Sequence, residues 1–182
     1  MGKVLWHVAM SLDGFVAGEG HAMDWMSGVN VAPGVHEAAI ARIGAILGGR
    51  RGFDAAVAKA PGQVGKQPYG GGWTGPIFVL THHPDDAPAE NGITFLDCGL
   101  REAVETGLEA AGGKDLELHS QDIARQCLEL GLVDEFAVHL LPVMLGSGVR
   151  LFDNPGGQPV RWQRIWDGDP VRAVDLRYAP AR

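Results

Sequence analysis

The sequence predicts an α/β fold with a mixed, mainly parallel central sheet flanked by helices and an antiparallel hairpin at the C-terminal end. Three observations carry this. Short apolar runs alternate with helix-spaced segments through the second half of the chain, the order that gives parallel strands joined by crossover helices. Glycines stand just past two predicted helices, Gly112-Gly113 and Gly131, where a left-handed cap ends a helix. Two period-two segments flank Asp167-Gly168-Asp169-Pro170, a hairpin pattern. With 182 residues, 46% of them hydrophobic, the chain is expected to form one domain over 1–182 with a sizeable core.

The elements follow in order. Residues 4–11 (VLWHVAMS) are apolar and β-branched and predict a strand, and the polar, Gly-rich stretch 13–33 predicts a loop. Val35, Ala38, Ala39 and Ile43 recur at helical spacing, and the run 45–47 is a short strand closed by Gly48-Gly49. Residues 53–58 can form a short helix, and the Gly-rich stretch 61–75 a loop. Strands are expected at 77–81 and 93–96, a helix at 100–111 and a strand at 115–119. An amphipathic helix at 121–130 follows, with Ile123, Cys127 and Leu130 on one face, then a strand at 136–141. The hairpin strands are 161–166 and 171–178, where Trp162 and Trp166 suit core or dimer contact. Asp134-Glu135 reads as a helix end with solvated charges.

Composition excludes several classes. A net charge of −7 gives no basic field for nucleic acid or anionic membrane. Two cysteines, Cys98 and Cys127, make neither a disulfide framework nor a CxxC motif. No apolar segment reads as a secretory signal, so a cytoplasmic location is expected. The chain has no GxSxG elbow or Walker A loop, and no GxGxxG that follows a predicted strand and opens a helix. Seven scattered His show no ligand spacing, and no metal is expected.

What remains is a set of strand-to-helix junctions. In Leu47-Gly48-Gly49-Arg50-Arg51-Gly52-Phe53 a strand ends in glycines and two arginines open a helix. Small residues let backbone approach an anion, and guanidinium groups neutralise it; the plainer alternative is two solvated arginines. In Leu118-His119-Ser120-Gln121-Asp122 either Ser120 or Asp122 can serve simply as an N-cap. Thr81-His82 places polar groups at a strand's carboxyl end, where ligands of open α/β sheets collect. Asp13 before Gly14 can make an Asx turn.

Residues 9–18 (AMSLDGFVAG), with Ala22-Met23-Asp24-Trp25 behind them, resemble the opening strand and nicotinamide loop of the dihydrofolate reductase fold. The Gly49-Arg50-Arg51 turn resembles that fold's turn for the 2′-phosphate of NADPH. Residues 131–135 (GLVDE), 142–148 (PVMLGSG) and Leu151-Phe152 resemble the reductase (C-terminal) domain of bifunctional riboflavin deaminase–reductases. The likeness runs from Val4 to Tyr178. It implies a dihydrofolate-reductase-like fold, an NADPH-dependent reductase and a homodimer. The implied substrate is small, 5-amino-6-(5-phosphoribosylamino)uracil or another carbonyl or imine compound. It further implies cofactor contacts at Ala9, Gly18, Gly49, Arg50, Arg51, Thr81, His82, His119, Ser120, Gln121 and Asp122. Substrate contacts are implied at Asp13, Asp24 and Trp25, beside the helix at 35–43.

The chain departs from the family pattern twice. His119-Ser120 stands where relatives carry Gly-Gly against the cofactor's pyrophosphate, so side chains there are expected to push phosphates outward and weaken binding. The carboxylate that holds a pterin falls at Asn30, which argues against folate reduction unless Glu37 or Asp24 serves. Two alternatives therefore stand beside the reductase: a catalytically altered nucleotide-binding homodimer of the same fold, and dihydrofolate reductase-like activity.

Overall fold

The computed structural model describes residues 2–28, 35–64, 68–87, 92–153, 155 and 158–163, without the side chains of Val35 and His36. Two compact units divide at residue 151, Met1–Leu151 and Phe152–Arg182. The described residues of the second unit form no helix or strand. Of the expected hairpin only 161–163 are described, with Trp162 exposed; Trp166 and the remainder lie outside the described residues.

The first unit runs β1 (Val4–Ser11), β2 (Phe15–Ala17), α1 (Val35–Arg42), β3 (Ile43–Gly49), α2 (Arg50–Lys59) and β4 (Ile77–Leu80). It continues with β5 (Ile93–Leu96), α3 (Leu100–Ala110), β6 (Asp115–Leu118), α4 (Gln121–Glu129), β7 (Glu135–Leu141) and β8 (Val149–Arg150). Six strands form one sheet in the order β5-β4-β3-β6-β1-β7, with parallel pairing throughout. This is the predicted main sheet. The stretch 13–33, expected to be a loop, instead contributes β2, which pairs antiparallel with β8.

Strand alternation sends side chains to two faces. On one, Val4, Trp6, Ala45, Leu47, Leu116 and Leu118 pack against Ala103, Val104, Ile123 and Cys127 of α3 and α4. On the other, Ile43, Ile46 and Ile77 pack with Trp73, Ala39 and Ile40. The register of β3 against β6 shifts between Ile43 and Ala45, which keeps Ile43 and Ile46 on one side. Gly44 sits in that shift, and a Cβ there would lie 2.2 Å from the Ala111 carbonyl oxygen. Gly44→Ala is therefore expected to cost about 1–3 kcal/mol, as overpacked core sites do, read as a lower urea midpoint.

Asp134 and Glu135 correct the reading of solvated charges. Asp134 Oδ2 accepts the Val4 amide at 2.8 Å. Glu135 accepts from Arg42 Nη1 at 2.9 Å and from Lys3 Nζ at 3.1 Å, and Arg42 also donates to Asp115. The helix is ended by Gly131, whose φ of 66° suits a left-handed cap. The acidic pair anchors β1 and α1 to the amino ends of the strands.

Topology locates the opposite, functional end. From β3 the chain passes through α2 to β4, toward one edge; from β6 it passes through α4 to β7, toward the other. Neighbouring strands β3 and β6 thus diverge at their carboxyl ends. Open α/β sheets bind ligands in the crevice at such a switch point.

Candidate functional site

The crevice is formed by the junctions singled out in the sequence. Gly49 ends β3 and Ser120 follows β6 after one residue, and the two touch. A Cβ on Gly49 would lie 2.9 Å from Ser120 Oγ and 3.4 Å from its Cβ, so a side chain there would have to displace the Ser120 hydroxyl. Ser120 caps α4, its Oγ accepting the Ile123 amide at a long 3.4 Å. The amides of Gln121 and Asp122 head the same helix, and the Gln121 side-chain oxygen is buried without a partner among the described residues. Asp122 is engaged by Arg125 and Gln126 at 3.1 and 2.8 Å.

The two arginines differ. Arg50 donates to Asp54 at 2.7 Å and to the carbonyls of His83 and Asp86 at 2.9 and 3.1 Å. It ties the segment after β4 to the start of α2. These bonds use one hydrogen on each of three nitrogens, leaving the second hydrogens of both terminal nitrogens. Arg51 is exposed in the first turn of α2. Thr81 is buried, its amide donating to Leu96 O and its hydroxyl accepting from His83 N; His82 is exposed.

On the other side of β1 the 142–148 motif is a clamp. Asp13 accepts from the amides of Leu145 at 3.0 Å and Gly146 at 2.7 Å, and from Ser11 Oγ at 2.6 Å. The Ser11 hydroxyl and the Gly146 amide hold its carboxyl down at about 2. Gly148 leaves no room for a Cβ, which would stand 2.1 Å from Ala17 O. The motif therefore fixes the point where the chain enters Gly18 and the 19–26 turns. Asp24 is exposed there, and Trp25 carries a buried indole N–H without a partner among the described residues. Ala9, in mid β1, is half-buried opposite His139 of β7. Asn30 lies outside the described residues; Glu37 is exposed on α1.

The structure adds a cluster that sequence reading missed. Glu117 of β6 is 1% exposed, a charge inside a parallel sheet. Its Oε1 accepts from Tyr69 at 2.7 Å and lies 2.9 Å from His7 Nδ1. His7 Nε2 meets His139 Nε2 at 2.7 Å, so one ring nitrogen donates and the other accepts. His119 Nε2 stands 3.0 Å from Glu117 Oε2, at ion-pair distance but off the line of a hydrogen bond. Burial pushes the Glu117 carboxyl up, but the His119 charge close by and the contacts with His7 and Tyr69 outweigh it and hold it at about 2. Burial lowers the His119 imidazolium, yet the Glu117 carboxylate raises it net above the ordinary histidine value. Tyr69 adopts φ 54°, ψ 38°, a left-handed conformation costly for a side chain, and it brings the hydroxyl to Glu117. Among the described residues no group of three or more His, Cys, Asp or Glu is arranged to hold a metal ion.

The cluster also explains His119. Period-two alternation puts it on the face of Glu117, and its Nε2 stands 3.0 Å from the Glu117 carboxylate. The amides at the start of α4, the close approach of Gly49 to Ser120 and the exposed Arg51 are groups of the kind that suits phosphate.

Comparisons with known proteins identify the family and the fold. The family model described as RibD C-terminal domain matches residues 2–167. A protein of uncharacterised function from Bacillus subtilis strain 168, YwjB, is 26% identical over 156 residues, 82% of each chain. A provisionally assigned riboflavin biosynthesis protein from Shewanella sp. PV-4 shares 24% identity and a TM-score of 0.67, over 87% of this chain and 86% of that one. A diaminohydroxyphosphoribosylaminopyrimidine deaminase/5-amino-6-(5-phosphoribosylamino)uracil reductase from Thermotoga maritima gives 0.59 at 16% identity. That match covers 87% of this chain and 51% of the other. Dihydrofolate reductase from Enterococcus faecalis, solved with NADP(H), gives 0.54 at 12% identity, over 83% and 77%. The fold is dihydrofolate-reductase-like.

Proposed function

The chain belongs to the RibD C-terminal domain family, and from that premise we propose that it is an NADPH-dependent reductase of a small molecule. The observation that carries the reading is the contact of Gly49 with Ser120 at the switch point. Two helix starts and Arg51 converge there on one anion-binding crevice. NADPH, when bound, supplies hydride; the protein orients it and excludes water. In this reading the amides of Gln121 and Asp122 take the pyrophosphate and Arg51 the 2′-phosphate. Arg50 holds the wall that Thr81 and His82 extend. The Gly18–Trp25 segment, fixed at its root by Asp13, covers the nicotinamide beside Ala9. Substrate sits between β1, Asp24, Trp25 and α1. The family supports a ribosylaminopyrimidine, 5-amino-6-(5-phosphoribosylamino)uracil, or a related carbonyl or imine. The family match crosses residue 151, which supports one domain over the chain, and a homodimer forms part of the proposal.

Titrating NADPH against tryptophan fluorescence tests the reading, followed by a panel of carbonyl and imine acceptors scored by loss of reduced-nicotinamide absorbance. Saturable binding with turnover of one acceptor supports it. Binding without turnover of any favours a nucleotide-binding module, and no binding sinks both.

Dihydrofolate is expected to show negligible turnover at neutral pH. A protonated pterin needs a carboxylate to pair with, worth about 10²–10⁴-fold when it also manages a proton. On the β6 strand Glu117 already serves His7, Tyr69 and His119. Dihydrofolate reduction at an enzymic rate would show another carboxylate in that role.

A further inference from the structure

We propose that His119 is the acid of the reduction: an imidazolium paired with Glu117 at the edge of the crevice, which protonates the substrate atom next to the carbon that takes the hydride. Glu117, with His7 and Tyr69 behind it, is a positioning residue. The inference rests on the reductase reading and deepens it, because it assigns the proton that a carbonyl or imine must receive.

Placement comes first. His119 directly follows β6 and precedes Ser120, so its backbone borders the cofactor crevice while its ring sits on the face of Glu117. The register Leu5↔Glu117 and Trp6↔Leu118 brings β1 alongside at this point, and Ala9 lies two residues beyond His7. The proton site and the expected nicotinamide position therefore share one stretch of β1.

Access comes second. Glu117 is 1% exposed and the His7 side chain 11%, but the His119 side chain is 38% exposed. A carboxylate so buried requires a compensating positive charge, and His119 is the ring near it that also reaches solvent. The group placed against the His119 ring is Glu117 on its own strand; His7 on β1 and Tyr69 from the 68–71 turn contact the other carboxylate oxygen of Glu117. His139 on β7 is reached through His7, and Asp122 on α4 is held by Arg125 and Gln126. None of these places a second cation against the ring.

The chemistry balances. Hydride leaves the dihydronicotinamide with its electron pair and forms the new C–H bond, and the C=O or C=N π pair moves to oxygen or nitrogen. That atom takes the proton from His119 Nδ1, whose bonding pair remains on a neutral imidazole still paired through Nε2 with Glu117. Solvent then reprotonates the ring. The nicotinamide is oxidised, the substrate gains two electrons and two hydrogens, and one proton is consumed.

The test begins on the free protein, by NMR titration of the histidine rings. His119 is expected to deprotonate above the ordinary value near 6.5, and Glu117→Gln to bring it back to that value or below. Adding NADPH should move the His119 ring resonances, while His119→Gln should leave the NADPH Kd within about threefold. With an acceptor found in the panel, His119→Gln should lower kcat about 10²–10⁴-fold with KM little changed. It should also abolish the fall in kcat that wild type shows as pH rises through the His119 titration. The proposal is overturned if His119 titrates at or below the ordinary value. Loss of more than tenfold in NADPH affinity would make His119 a phosphate ligand instead. A His119→Gln enzyme with wild-type kcat and pH profile overturns it as well. The wild-type titration and His119→Gln do not depend on the buried variant folding. If wild type fails to bind NADPH, the reductase reading itself fails; if it binds normally and any result above goes the other way, only the role of His119 fails.

Discussion

Arg51→Ala is expected to weaken NADPH binding by about 10- to 150-fold and to leave NADH within about twofold. The difference isolates the 2′-phosphate, since each charge-assisted hydrogen bond to it is worth about 1.5–3 kcal/mol. Arg51 is exposed, so its removal should not disturb the fold. Arg50→Ala should behave differently. It breaks three bonds, to Asp54 and to the carbonyls of His83 and Asp86, and so loosens the wall after β4. Both cofactors should lose affinity in comparable measure. Fluorescence titrations of the two variants with each cofactor check this. Equal losses of NADPH and NADH in Arg51→Ala would remove the turn from 2′-phosphate recognition.

The split between the arginines shows where sequence reading stops. The pair was legible as an anion-binding turn because glycines, strand end and helix start are local. That Arg50 is largely committed to His83 O and Asp86 O was not, because those carbonyls lie 33 and 36 residues away. The main sheet was legible for a similar reason: each strand carries its own apolar run, and each crossover helix its own spacing. The β2–β8 pair was hidden because three residues meet two across more than 130 positions, too short for periodicity. Asp13 shows the same limit. An Asx turn could be anticipated, but not a carboxylate that holds the amides of Leu145 and Gly146.

The polar cluster was missed for a physical reason with a lesson in it. His7, Glu117 and His139 sit in three strands that become neighbours only through the order β6-β1-β7. One signal was available. The segment Asp115–Leu118 reads DLEL, and a strand inside a parallel sheet is buried on both faces, so its central glutamate had to find partners. A search for histidines and tyrosines on neighbouring strands would then have followed. In the sequence His119 reads as a departure from Gly-Gly and as an implied cofactor contact; its tie to Glu117 two residues earlier is visible only in the structure.

Glu117→Ala is therefore expected to destabilise the protein by about 3–5 kcal/mol, the cost of removing one member of a buried pair. It removes the oxygen that accepts from Tyr69, held at φ 54°, and that lies beside His7, leaving His7 Nδ1 with the Tyr69 hydroxyl at 3.0 Å. Glu117→Gln should cost less, because an amide oxygen can still accept from Tyr69 and His7. The effect should depend on pH in a direction fixed by the two titrations. The Glu117 carboxyl falls from 4.5 to about 2 on folding, so its contribution is complete above about 4.5 and is lost as pH falls through about 2. The His119 imidazolium is raised above 6.5, so its contribution is complete below about 6.5 and is lost as pH rises through the folded value. The stability gap between wild type and Glu117→Ala should be widest between about pH 4.5 and 6.5 and narrow on either side. Urea midpoints across that range measure it. A gap that keeps widening into alkaline pH would mean that Glu117 and His119 do not titrate as a pair, and that the carboxylate is held by Tyr69 and His7 alone.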